Sequence, residues 1–467
     1  MARGRRRFGG RRAEARASRD LTQGSIAKSL TLFALPLLGT SVIQQLYGTV
    51  DLLFVGNVLG TDAMAALGIS VLLITCLIGF FTGLSVGVNV VVARHVGSGK
   101  LADAGRAIHT AVAMGLVGGV GLAVIGFAIA PSYLAWMATP PELVADALAY
   151  LRVYFVSMIA VVLYNQCAGA LRGLGNSRTP FTAQLVGGVC NVALNALFLM
   201  VLGLGIAGSA LATLFSQGIA TLLCLRVLAR GPEPCRLRAG DLTFHGDSLR
   251  GILAIGVPTG LQSLVITLSN VFVQHQINLL GAEAIAAFSA YFKVELPIYY
   301  ALVSLGQAVT TFVAQNHAAG LEGRARKGTR ACLGMGVALS VVLAAILIGC
   351  GHGAFWIFSQ QTSVIAYGRT IIGITFPLYW LYAFLEIYAG SMRGRGNSLA
   401  PMVIILLNVC VARTVILFAL TSSVVTVEAV ALVYPITWAA TALCMTVGYQ
   451  LQIRKRTRRD AAIAEAA

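Results

Sequence analysis

Twelve separate runs of about twenty mostly apolar residues, each long enough to cross a bilayer as a helix, constrain this chain more than any single motif. They begin near Ser29, Ala63, Ile108, Ala149, Phe181, Ser209, Gly251, Ala284, Ala331, Tyr367, Met402 and Val427. Within lipid, every backbone N–H and C=O must find its partner inside the chain, which leaves helices or closed barrels. Runs of this length point to helices. Apolar residues make up 57 % of the sequence and charged ones 11 %, against about 25 % charged in soluble domains. An all-α polytopic protein embedded in a lipid bilayer is expected.

The formal charge of +17 is concentrated at two places, "RGRRRFGGRR" from Arg3 and "RKRTRR" from Arg454. Arginine clusters can bind nucleic acid, but both flank apolar spans, where the excess of basic residues on cytoplasmic loops accounts for them. No nucleic-acid partner is expected. The start lacks a short apolar core followed by small residues, so no removable signal peptide is expected either. Loops after the even-numbered spans carry Arg94, Lys100, Arg172, Arg236 and Arg326, among others. The opposite loops carry Asp62, Glu142, Asp146, Glu283 and Glu428, with only Arg369 and, at the edge of span 4, Arg152. Both termini are therefore predicted on the cytoplasmic side of the plasma (inner) membrane.

The sequence also repeats itself. "ALRGLGNSRTP" (Ala170 to Pro180) and "SMRGRGNSLAP" (Ser391 to Pro401) share R-G-x-G-N-S-x-x-P at a separation of 221 residues. The same shift lays "LGTDAMAA" (Leu59 to Ala66) on "LGAEAIAA" (Leu280 to Ala287), and Gly99 on Gly320. This is an internal duplication. Each copy holds six spans, an even number, so the two six-helix lobes share one sense in the membrane. Their pseudo-two-fold axis runs along the membrane normal, an arrangement suited to alternating access. The predicted organisation is a basic cytoplasmic tail (1–24), an N-lobe (25–229), a cytoplasmic linker (230–249), a C-lobe (250–452) and a second cytoplasmic tail (453–467). In the doubled loop the glycines permit a tight turn, the proline suits a first helical turn, and the arginine anchors the cytoplasmic side.

"VDLLFVGNVLGTDAMAALG", "ALRGLGNSRTP", "LGLGIAGSALAT", "GQAVTTFVAQNHAAG" and "SMRGRGNSLAP" together resemble the multidrug and toxic compound extrusion (MATE) transporters, from about Ser25 to Gln452. The resemblance implies a central cavity and export of organic cations in exchange for protons or sodium. It implies a coupling ion, H+ or Na+, and no other cofactor, with the chain working as a monomer.

A charged side chain at the centre of a span costs about 2.5–3.5 kcal/mol on insertion scales, so few survive without a use. Three carboxylates lie within spans: Asp51, Glu295 and Glu386; Lys293 and Arg413 are the clearest cations. A carboxylate in a low-dielectric setting can load and release a proton. Family members commonly carry an aspartate in the V-D-x-x-x-x-G setting of Asp51, where it is implicated in ion coupling. The alternative is an aspartate near the outer interface that stays wet. Asn191 and Asn195 lie one turn apart on one helix face; they either bond Asp51, offer carbonyl oxygens to a cation, or pack helices. Related sequences often have aspartate at the second position, so this lobe has one carboxylate fewer.

In the C-lobe, Lys293 and Glu295 are two residues apart and face nearly opposite ways, and Pro297 favours a kink beside the acid. Glu295 and Glu386 either hold a cationic cargo or coupling ion, or sit in buried pairs such as Glu386 with Arg413. Tyr299 and Tyr382, with Tyr291 and Tyr379, can offer ring faces to a cation; Gln44 and Gln274 are further candidates for the cleft. Some relatives use acids in spans 7 and 10 as a sodium site. Span 7 here has none, which favours protons.

Other signals fail their context. "GLGIAG" (Gly203 to Gly208) lies between two spans and not after a strand. No P-loop is present, the histidines lack H-E-x-x-H spacing, and the nine cysteines show no C-x-x-C pairing. The expected function is a secondary-active antiporter for lipophilic organic cations. A flippase for a lipid-linked or other metabolite on the same fold is the alternative, and a non-transporting receptor is a weaker one.

Overall fold

The computed structural model describes residues 20–422 and 424–466, all helix, turn and loop with no strand among them. The first arginine cluster lies outside these residues. Six long helices come first: α1 (Ile26–Leu59), α2 (Thr61–Gly97), α3 (Leu101–Trp136), α4 (Pro141–Gly173), α5 (Arg178–Asn195) and α6 (Gly205–Ala229). A π-helical turn, Ala196–Val201, prolongs α5. After the linker come α7 (Gly246–Asn278), α8 (Ala282–Val294), α9 (Leu296–Ala318), α10 (Glu322–Gly349), the short α11 (Gly351–Trp356), α12 (Thr362–Thr375) and α13 (Trp380–Gly394). The series closes with α14 (Leu399–Ile405), α15 (Arg413–Leu420) and α16 (Val427–Ala466).

Among the described residues eleven helices are long and apolar enough to cross a membrane, counting α14 and α15 as one span through their π-helical join. The pair Thr362–Leu378 and Trp380–Gly394, bent by 51°, makes a twelfth. Several helices start well ahead of their apolar runs, at Leu101 and not near Ile108, at Glu322 and not near Ala331. A helix does not stop where hydrocarbon stops. Polar residues such as Arg106 and Arg326 prolong it, since straight-chain side chains favour helix.

The duplication is visible in the backbone. Gly60 and Gly281 have φ 93° and 90°, Gly99 and Gly320 73° and 75°, Gly175 and Gly396 81° and 85°. Each pair is one shift of the repeat apart, and each occupies the left-handed region that disfavours any Cβ. In the doubled loop the backbone N–H of Asn176 bonds Leu171 O at 2.9 Å and that of Asn397 bonds Met392 O at 3.0 Å. These are the six-residue closures of a glycine-terminated helix. The same asparagines start the next helix: Asn176 Oδ1 accepts from Thr179 N at 3.0 Å, and Asn397 Oδ1 from Ala400 N at 3.2 Å. Glycine ends one helix and asparagine opens the next. The loop arginines are buried. Arg172 is 6 % and Arg393 8 % exposed, and the Arg393 guanidinium donates to Gln262 Oε1 at 2.9 Å.

The chain divides into two compact units. The first is mainly Leu32–Gly260 and so includes the linker; the second is mainly Leu261–His317 with Leu321–Ala467. In the first, Val55, Leu67, Tyr150, Phe155, Met158 and Leu199 form one apolar core beside Asp51 of α1. In the second, Leu385, Met392, Ile405, Val409 and Met445 pack together.

Candidate functional site

In the first unit α1, α5 and α6 meet around one acid. Asp51 is 5 % exposed. Asn195 Nδ2 donates to its Oδ1 at 2.8 Å, Asn191 Nδ2 to the same oxygen at 3.4 Å, and Thr213 Oγ1 to Oδ2 at 3.0 Å. Asn191 and Asn195 share a face because they are four residues apart, and Asn195 also donates to Asn191 O at 3.0 Å. Thr213 belongs to a hydroxyl stripe, Ser209, Thr213 and Ser216, at helical spacing on α6 and fully or nearly fully buried. Tyr150 and Tyr154, with ring centroids 5.5 Å apart, stand on α4 in the adjoining core.

Three donors, all neutral, meet two carboxylate oxygens. Among the described residues no lysine or arginine pairs with Asp51. A buried carboxylate held this way keeps its hydrogen bonds but not a counter-charge, and burying such a charge is costly. The side-chain Oδ1 atoms of Asn191 and Asn195 are buried without partners among the described residues, and the Ser209 hydroxyl also lies within reach of the acid. These oxygens, with the acid, suit either a carboxylic proton or a hard cation such as Na+. The wet-interface alternative for Asp51 does not describe this geometry.

In the second unit the eighth span breaks at Glu295, two residues before the proline expected to kink it. α8 ends at Val294, Glu295 caps it, and the backbone N–H groups of Ile298 and Tyr299 both bond Glu295 O, at 3.0 and 3.1 Å. Pro297 has no N–H to continue the ladder. Half-buried Glu295 faces a run of rings: Tyr291 and Tyr434 (centroids 6.4 Å apart), Tyr434 and Trp438 (6.0 Å), Trp438 and Tyr379 (4.8 Å), then Tyr382 and Tyr299 (5.9 Å). Arg413, 4 % exposed, lies over the Tyr434 ring at 5.0 Å and is within electrostatic reach of Glu295.

Glu386, 9 % exposed, accepts from Tyr382 Oη at 3.2 Å, and its charged neighbour is Arg393. The pairing of Glu386 with Arg413 is therefore not the one formed; Arg413 keeps company with Glu295. Gly306 of α9 lets α13 approach, since a Cβ there would stand 3.1 Å from both Glu386 O and Oε2. Lys293 is exposed, opposite in direction to Glu295 as its spacing requires, so it is no embedded cation within its unit. Gln44 is exposed, and Gln274 spends its amide on Asn278 Oδ1 at 2.8 Å.

Sequence reasoning overlooked Thr213, Tyr434 and Trp438. The hydroxyl stripe of α6 was a usable signal, as was the i, i+4 spacing of Tyr434 and Trp438 around Pro435. Arg393 carried a signal too, through the duplicated motif, but was read only as an anchor.

The MatE family model matches this chain twice, over residues 36–197 and 258–419. Probable multidrug resistance protein YoeA of Bacillus subtilis (strain 168) is 29 % identical over 443 residues, covering 92 % of this chain and 95 % of that one. The FAD transporter of Shewanella oneidensis is 25 % identical over 429 residues, covering 89 % and 93 %. Among solved structures, an outward-facing multidrug resistance MATE family transporter of the MOP superfamily is similar with a TM-score of 0.88 at 18 % identity, over 94 % of this chain and 98 % of that one. A MOP superfamily transporter from Pyrococcus furiosus, described as having a binding pocket of reverse polarity, is similar with a TM-score of 0.85 at 19 % identity, over 93 % and 97 %.

Proposed function

The chain belongs to the MatE family of multidrug efflux transporters, a membrane transporter and not an enzyme, and on that premise we propose that it is a secondary-active antiporter exporting lipophilic organic cations in exchange for H+. It works as a monomer in the plasma (inner) membrane with both termini cytoplasmic and without nucleic acid. The observation that carries this reading is the buried Asp51 carboxylate, bonded by Asn191, Asn195 and Thr213 and paired with no cation. Such a group is in balance only when a positive charge arrives, as a proton or as a cation. Two positive species that each satisfy one acid exclude one another, and exclusion is what exchange requires. Entry of a proton from outside lowers the unit's hold on its cargo, a coupling through differential affinity.

The second unit supplies the recognition chemistry. Glu295 and Glu386 provide negative charge, and Tyr299 and Tyr382 provide ring faces that attract a lipophilic cation. Gln44, Lys293 and Gln274 remain candidates for contact with cargo, the first two exposed and Gln274 half-buried with its amide on Asn278. Protons are preferred to sodium because Asn195 stands where a second acid would help hold Na+, and α7 carries no acid within its apolar stretch. Dye uptake into proteoliposomes under a pH gradient or an Na+ gradient, imposed separately, tests the reading. Uptake driven by the pH gradient alone is expected; uptake driven by Na+ alone would overturn the choice of ion.

One observation favours a second reading with an anionic cargo. Arg413 is buried in the second unit with its Nε and the nearby Tyr434 hydroxyl unpartnered among the described residues, and a full-length relative is named an FAD transporter. Competition of dye uptake by a flavin nucleotide separates the two.

A further inference from the structure

The two copies of the repeat have diverged at one corner. In the second unit His317 Nδ1 lies 2.8 Å from Glu322 Oε2, and Arg395 Nη2 donates to Glu322 Oε1 at 3.1 Å. Arg395 also bonds Ser391. One shift of the repeat back, these three positions are Val96, Leu101 and Leu174. Where the second unit carries this ion network, the first unit holds a cavity of about 650 Å³ lined by those three residues together with Leu171, Val227 and Leu228.

The linker roofs this cavity and is fastened down. Cys235 Sγ lies 3.4 Å from Leu101 O, Leu237 N donates to Leu228 O at 3.1 Å, and Arg238 N donates to His109 Nε2 at 3.1 Å. Gly105 admits the chain, since a Cβ there would stand 2.4 Å from Pro234 O. At the rim are Arg230, Arg236 and Glu233. Glu233 is committed to Arg238 at 2.7 Å, whereas Arg236 uses its Nε on Ala229 O and keeps its two terminal nitrogens. The rim therefore offers two guanidinium groups, and the walls offer little but hydrocarbon.

We propose that this cavity is a binding site for an anionic amphiphile, its acyl chain among the leucines and its phosphate or carboxylate head on Arg230 and Arg236. The volume falls within the roughly 300–1,000 Å³ of small-molecule sites. An apolar cavity is a poor place for water, and unfilled it forfeits dispersion contacts along every wall. Guanidinium forks match phosphate and carboxylate oxygens. The orientation proposed above puts the rim at the cytoplasmic leaflet, whose anionic headgroups are drawn to basic clusters; the binding test below does not depend on that orientation or on transport.

The test is the thermal midpoint of the full-length protein in detergent, with phosphatidylglycerol, oleate, phosphatidylcholine or inorganic phosphate added. Phosphatidylglycerol or oleate is expected to raise the midpoint by several degrees, the better of the two naming the source of the head. Phosphatidylcholine and inorganic phosphate are expected to leave it unchanged. Leu174→Trp, which fills the cavity, and the double variant Arg230→Glu with Arg236→Glu should each abolish the shift. If Leu174→Trp does not fold, Val227→Phe fills the same space. Equal shifts in the wild type and the folded variants, or no shift with either anionic amphiphile, would overturn the proposal.

Discussion

Asn195 Nδ2 donates to Asp51 Oδ1 across 2.8 Å, joining the end of α5 to α1 through a neutral amide. Aspartate at position 195 would set a second carboxylate against the first. Asn195→Asp is therefore expected to convert the site into a harder oxygen cage that favours a metal cation. Dye uptake by the variant in proteoliposomes should gain stimulation by an Na+ gradient that the wild type lacks. An unchanged ion requirement would count against the assignment of this cluster.

Thr213 supplies the donor to Asp51 Oδ2 at 3.0 Å. Thr213→Val keeps the shape and removes the O–H that bonds Oδ2, and hydrogen bonds to charged groups contribute about 1.5–3 kcal/mol. A thermal midpoint several degrees below wild type is expected, with reduced transport. Thr213→Ser, which keeps the hydroxyl, should recover most of both.

Gly390 on α13 is pressed against α9: a Cβ there would lie 2.4 Å from Gly306 O and 2.8 Å from Thr310 Oγ1. Backbone cannot step aside, so Gly390→Ala should cost about 1–3 kcal/mol as an overpacked site, and it should disturb Glu386 one turn away. Gly373→Ala on α12 meets nothing within 4 Å and should be neutral or slightly stabilising. Thermal unfolding of the two variants side by side checks the contrast.

The Arg395 side chain is 1 % exposed and its partner Glu322 is 19 % exposed. Removing one member of a buried pair strands the other charge, at about 3–5 kcal/mol when burial is complete. Arg395→Leu should lose somewhat less, about 2–3 kcal/mol, because Glu322 is not wholly enclosed and Arg326 lies nearby. Arg106→Ala breaks a pair with Asp103 whose side chains are 62 % and 39 % exposed and should change stability by less than about 1 kcal/mol. Denaturant or thermal midpoints give both values.

Much of this fold is legible in the sequence because a bilayer permits few solutions. Apolar run length gives the spans, and the shift of 221 residues gives the two copies, later seen as matched glycine conformations. Pro297 beside Glu295 announces the break between α8 and α9. The 51° bend between α12 and α13 carries a weaker local sign, Pro377, inside a stretch of aromatic residues that reads equally well as continuous helix. The Asp51 cluster is half legible. Asn191 and Asn195 sit on one face by spacing alone, but their side of α5 and the third donor, Thr213, depend on how α1, α5 and α6 pack. The partner of Arg413 illustrates the limit: adjacency in sequence suggests Glu386, whereas tertiary packing sets it among Tyr434, Thr437 and Glu295.

On the proposed reading, the acid at position 51 exchanges charge with the cargo. Uptake of a fluorescent lipophilic cation into proteoliposomes under a fixed pH gradient, wild type beside Asp51→Asn, tests it most directly. Gradient-driven accumulation is expected for the wild type and none for the variant, which still folds but, as a mimic of the protonated acid, holds the dye more weakly. Accumulation by Asp51→Asn at the wild-type rate and with the same dependence on the gradient would contradict it.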